Sequence, residues 1–163
     1  MKLNIARLPV LTPGVIALGV IALGATVGVA PKAQAQQPPD YYVGAGVRAG
    51  FNDPTSFVID SKAKFLEIGS AATLSARPSV LFGNDTELRL PISVDIGISD
   101  GFYPYAGAGV AYNAEGSSRV DPLITGGIDI GVARNLVVDV NLNVLFKPGN
   151  TDTELTATIN YAF

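Results

Sequence analysis

The sequence has no cysteine and no histidine, and it has few charges. Without cysteine there is no disulfide framework, no thiolate metal site and no lipidated N-terminal cysteine. Without histidine, the general base on which most Ser- or Asp-assisted hydrolases depend is missing. No cofactor, no metal site and no enzymatic activity are therefore expected. Charged residues make up 15% of the chain, against about 25% in an ordinary soluble domain. The formal charge is −3 and no basic run occurs, so nucleic acid is not an expected partner. From Tyr41 onward no stretch repeats with helical periodicity.

What the chain does contain is glycine, proline and alternation. It has 18 Gly and 11 Pro among 163 residues, a mix suited to short strands and tight turns. The first forty residues stand apart. Lys2 and Arg7 form a basic start, "GVIALGVIALGATVGV" carries no charge, and "PKAQAQQ" places Ala33 and Ala35 as the small residues of a cleavage site. That pattern predicts a secretory signal peptide over residues 1–35, cut after Ala35. A retained membrane anchor is the alternative, since residues 8–30 are uncharged and long enough to span. Cleavage removes three basic residues (Lys2, Arg7, Lys32) and no acidic one, leaving a more acidic protein. Residues 36–40 read as a short lead-in, and 41–163 as the folded part.

Eight alternating segments follow. They run Tyr41–Phe51, Phe57–Phe65, Ala71–Phe82, Glu87–Ile98, Phe102–Asn113, Pro122–Ala133, Leu136–Lys147 and Glu154–Phe163. Between them lie "NDPTS", "EIGS", "GNDT", "SDG", "AEGSSRVD", "RN" and "PGNTD", all built from turn formers. Even spacing and an even strand number predict an up-and-down meander closed on itself. "YVGAGV" at Tyr42–Val47 recurs as "YAGAGV" at Tyr105–Val110, which places equivalent positions on two strands. A phosphate-cradling role for these glycines fails, because no helix follows.

Side chains of a strand alternate between its two faces. In "NLVVDVNLNVLF", Leu136, Val138, Val140, Leu142, Val144 and Phe146 share one face, while Asp139, Asn141 and Asn143 share the other. Across all eight segments the apolar parity carries no charge. The opposite parity collects twelve: Arg48, Asp60, Lys62, Lys64, Arg77, Glu87, Arg89, Asp95, Asp129, Asp139, Lys147 and Glu154. Six are cationic and six anionic, so they are expected to pair. The same parity holds Gly44, Gly46, Gly97, Gly107, Gly109, Gly127 and Gly131. Glycines weaken a strand and belong where something packs closely. Aromatic residues gather near segment ends: Tyr41, Phe51, Phe57, Phe65, Phe102, Tyr112, Phe146, Tyr161 and Phe163. These signs predict that the apolar face looks outward, into lipid, between two aromatic girdles. The fold expected is all-β: an eight-stranded antiparallel up-and-down transmembrane β-barrel with a polar interior. The reverse orientation would make a secreted lipocalin-like binder of apolar ligands.

"YYVGAGVRAGF", "PYAGAGVAY" and the terminal "INYAF" resemble the small outer-membrane β-barrel domain family, the OmpA/OmpX-like eight-stranded barrels. The resemblance covers Tyr41 to Phe163. It implies a place in the outer membrane of a Gram-negative-type envelope, contact with outer-membrane lipids, and insertion by the barrel-assembly machinery. In that family a final alternating strand closing on Phe is the assembly signal, which here falls on Tyr161 and Phe163. Thr156 matches the polar position of that signal. Thr158 stands where glycine is usual, and the tryptophan common in family girdles is absent. The role expected is structural or envelope-integrity, with the interior plugged by charged side chains; a narrow low-conductance channel for small solutes is the alternative. Asp129 and Asp139 are conceivable as an acid/base pair and Tyr42 and Tyr105 as ligand platforms. Charge pairing, and packing against inward glycines, are the expected roles.

Overall fold

The computed structural model describes residues 38–51, 53–68, 72–98, 101–114 and 119–163. The expected signal peptide and its Ala33–Ala35 cleavage site lie outside the described residues. The described chain forms nine antiparallel strands: β1 (Tyr41–Gly50), β2 (Ser56–Ile68), β3 (Ala72–Ala76), β4 (Ser79–Phe82), β5 (Thr86–Ile96), β6 (Phe102–Asn113), β7 (Arg119–Ala133), β8 (Leu136–Lys147) and β9 (Asn150–Ala162). Apart from β3 and β4, consecutive strands pair, and β1 closes the ring on β9 through Tyr42↔Ala162 to Gly50↔Glu154. Strands β3 and β4 together occupy one place, both pairing with β2 and β5. The ring therefore has eight walls. A closed ring leaves no unpaired edge, the condition for a sheet to cross a bilayer.

The third expected segment, Ala71–Phe82, is thus interrupted at Arg77–Pro78 rather than continuous. Proline has no N–H to give the ladder. Continuity is kept by single bonds on either side: Arg77 N–H donates to the Pro91 carbonyl at 2.9 Å, and Ser61 N–H to the Pro78 carbonyl at 3.0 Å. Two further strands start earlier than their turn-forming residues suggest. Strand β7 begins at Arg119 and β9 at Asn150, where the turn shrinks to residues 148–149 with Gly149 at φ +80°. At the end of the barrel away from the termini the connections are residues 51–55, 83–85, 114–118 and 148–149.

The apolar parity faces outward. Leu90, Ile124, Leu142 and Ile159 are half exposed or more, whereas Asp95, Asp129 and Asp139 are 1% exposed or less. The lipocalin-like arrangement, apolar face inward, is not the one this chain adopts. Aromatic rings crowd both ends of the outer wall. Tyr41 stacks on Phe163 with centroids 6.1 Å apart, and Phe57 lies 6.4 Å from Phe82. From Tyr41 to Phe51 a strand rising about 3.3 Å per residue and tilted about 40° covers roughly 25 Å, the height of a hydrocarbon band.

Candidate functional site: the charged interior

Inward positions of β1, β2, β3, β5, β6 and β7 meet around Arg77, the residue just after β3. Its guanidinium uses every nitrogen. Nε donates to Ser93 Oγ at 2.9 Å, Nη1 to the Tyr42 hydroxyl at 2.6 Å and Asp129 at 3.3 Å, and Nη2 to Asp95 at 2.7 Å and Asp129 at 2.8 Å. One face of the group lies 3.4 Å from the centroid of the Tyr105 ring, a desolvated cation–π contact. Lys62 Nζ sits 3.2 Å from both Asp95 and Asp129. The Tyr42 hydroxyl in turn donates to Asp129 at 3.0 Å. Ser75 and Ser93 add donors to Asp95. Multiple charge-assisted bonds of this kind are what a buried ion needs to offset its lost hydration.

Tyr105 fits because a glycine stands opposite, whereas Tyr42 stands between Lys62 and Ala162 in register. Tyr105 and Gly127 are register partners, and a Cβ at Gly127 would lie 2.8 Å from the Tyr105 ring. Tyr105 then donates to Asp139 at 2.8 Å, and Asn141 donates to the other oxygen of Asp139 at 2.6 Å. Asp129 and Asp139 are cross-strand partners. Asp129 is held by Lys62, Arg77 and Tyr42, and Asp139 by neutral donors.

A second ionic layer lies toward the end away from the termini. Arg89 Nε reaches Glu87 at 2.5 Å and Nη2 reaches Glu154 at 2.6 Å. Arg48 Nε stands 3.5 Å from Glu154 Oε1, within ion-pair distance but without hydrogen-bond alignment, and both atoms lack a hydrogen bond. Arg48 also donates to the Pro54 carbonyl at 3.2 Å. Between the two layers lies a cavity of about 40 Å³ lined by Asp60, Arg77, Arg89, Tyr105, Asp139 and Asn141 among others.

The twelve charged positions do not form one network. Ten lie in or between the two layers. Lys64 pairs instead at the terminal rim with Asp40 at 2.5 Å and Glu67 at 2.7 Å, and Lys147 pairs at the opposite rim with Asp53 and Asp152. Two buried acids, Asp121 and Asp152, join the inward set; Asp121 pairs with Arg119 at 2.8 Å. They share the parity of Leu123 and Glu154, a signal the turn-like composition around them conceals. Tyr161 and Phe163 lie exposed at the outer terminal rim.

A closed, eight-walled barrel with an apolar exterior and an ionic interior is the architecture of transmembrane β-barrels. Comparison with solved structures agrees. A de novo designed transmembrane β-barrel superposes with TM-score 0.61 at 18% identity, covering 80% of this chain and 100% of the other. The N-terminal β-barrel domain of Pseudomonas aeruginosa OprF gives 0.58 at 11% identity, covering 78% and 100%. The outer membrane protein Ail of Yersinia pestis, in a phospholipid bilayer nanodisc, gives 0.56 at 10% identity, covering 77% and 100%. At these identities the shared property is the fold. No protein-family model matches the sequence, and no curated protein sequence matches it.

Proposed function

We propose that this chain is an outer-membrane β-barrel of a Gram-negative-type envelope, exported through a cleaved signal peptide, with a structural or envelope-integrity role and no enzymatic activity. The observation that carries this reading is the crossing of the lumen by two ion-pair layers. Arg77, between β3 and β4, ties that wall to β5 and β7, and Arg89 joins β5 to β9. An eight-stranded barrel has an interior just wide enough for side chains to fill. The outer wall supplies the lipid contact, and Tyr161 with Phe163 supplies the contact with the assembly machinery during insertion.

Planar-bilayer recording of the refolded protein tests the plugged interior: the expected trace has no large, steady conductance, and such a conductance overturns the reading. The second reading, a narrow path for small solutes, is favoured by the polar cavity between the layers; small, infrequent steps in the same trace would support it. Deleting Phe163 tests the assembly contact. Membrane insertion in cells should fall, while refolding into detergent in vitro should not.

A further inference from the structure

One wall of the barrel lacks two ladder bonds at a single height. The register of β2 with this wall runs unbroken from Ala63↔Ala76 to Asp60↔Ser79, and that of β5 from Ala76↔Ile92 to Ser79↔Arg89. Ser61 therefore stands opposite Pro78, and Arg77 opposite Pro91. Opposed residues of a hydrogen-bonded antiparallel pair exchange two bonds. Here each pair makes one, Ser61 N–H to the Pro78 carbonyl and Arg77 N–H to the Pro91 carbonyl. The return bonds need the N–H that proline lacks. The carbonyls of Ser61 and Arg77 thus receive no donor from the strand opposite, one on each side of the same wall. The other strand prolines, Pro104 and Pro122, stand singly near the starts of β6 and β7.

The two halves of this wall are held differently. Toward the termini, β3 is tied into the lumen. Thr73 and Ser75 donate to Asp95, which pairs with Lys62 on β2 at 3.2 Å and with Arg77 at 2.7 Å. That cluster joins β2, β3 and β5 to one another. Away from the termini, β4 is only Ser79-Val80-Leu81-Phe82 and carries no charge, so no ion pair anchors it across the lumen. Behind it lies the cavity of about 40 Å³, lined by Ser79 and Leu81 of β4 with Val58, Asp60, Arg89 and Pro91 of the flanking strands. A short strand with few ties beyond its ladder is where local opening begins.

We propose that β4 and the turn at residues 83–85 form a flap, hinged at Arg77–Pro78, that opens the cavity sideways near the outer rim while the Asp95 cluster holds β3 closed. The missing ladder bonds lie at the base of the flap. It is shut by its own pairing with residues 57–60 and 86–89, and by the Phe82 ring beside that of Phe57.

Amide hydrogen exchange of the protein in lipid vesicles, read residue by residue and corrected for intrinsic rates, tests the flap. The comparison is with residues 144–147, the four of β8 that lead into the turn at 148–149, as β4 leads into the turn at 83–85. Amides of β4 should exchange at least about tenfold faster than these, and those of β3 should not share the increase. Pro78 faces outward, so Pro78→Val keeps an apolar wall and gives the Ser61 carbonyl its donor. That substitution should remove most of the difference. Exchange in β4 as slow as in residues 144–147 overturns the proposal. So does wild-type β3 exchanging as fast as β4, which would mean that the whole wall frays. A β4 still fast in Pro78→Val overturns it too, by placing the motion in the turn and not at the hinge.

Discussion

Arg77 and Arg48 both point into the lumen and differ in what meets them. Arg77 stands at the break in a wall, where side chains from β1, β5, β6 and β7 all reach it, and each of its nitrogens has an acceptor. Arg48 stands nearer the rim on β1, with Glu154 at 3.5 Å and Asp53 at 4.0 Å, and its Nε has no hydrogen bond. The guanidinium is a planar fork that needs acceptors on several sides at once. In a narrow barrel, only the middle offers walls on every side at the same height. Strength in this interior therefore depends on depth, and less on how many charges each layer contains.

That contrast is open to attack. The largest effect is expected from Arg77→Met, which leaves Asp95 and Asp129 sharing Lys62 alone; loss of one partner of a buried ion pair costs about 3–5 kcal/mol, measured as a shift in urea unfolding in vesicles. A change no greater than that of Arg48→Met would erase the distinction. Val140→Arg asks what the same cation does on the outer wall, where no acceptor awaits it. Near the midplane it should cost about 2–4 kcal/mol, and a neutral result would place that face in water. Arg89→Met removes two charge-assisted bonds and should cost about 1.5–3 kcal/mol in the same titration. Arg48→Met should cost only about 1 kcal/mol, because Glu154 keeps Arg89.

Much of this is legible in the chain itself, because the period-2 pattern depends only on neighbours along the strand. The parity of Val140 against Asp139, or of Leu90 against Arg89, can be read without knowing what lies across the barrel. Asp121 and Asp152 escape such a reading. Each sits among Ser, Asn, Thr or Gly, whose turn chemistry is real, yet the strands run through them because β7 and β9 pair with neighbours to that point. The break at Arg77–Pro78 escapes as well, since an outward proline is tolerated where the ladder can bridge it. Least legible is which acid meets which base. Lys62 reaching Asp129 joins residues on β2 and β7 that no local pattern links. Barrel stagger sets that pairing, and the stagger is a property of all eight walls together.

The short connections away from the termini have a consequence for digestion. A protease must draw an extended stretch of backbone into its cleft, and it finds one in exposed loop tips. Here residues 51–55, 83–85, 114–118 and 148–149 are all that joins the strands at that end. Two of trypsin's internal targets, Lys62 and Arg89, are sealed in the lumen with their backbone in the walls. Folded protein should therefore survive trypsin with its barrel in one piece, and unfolded protein should be cut at both residues. The pattern of fragments on a gel then reports folding without any knowledge of function.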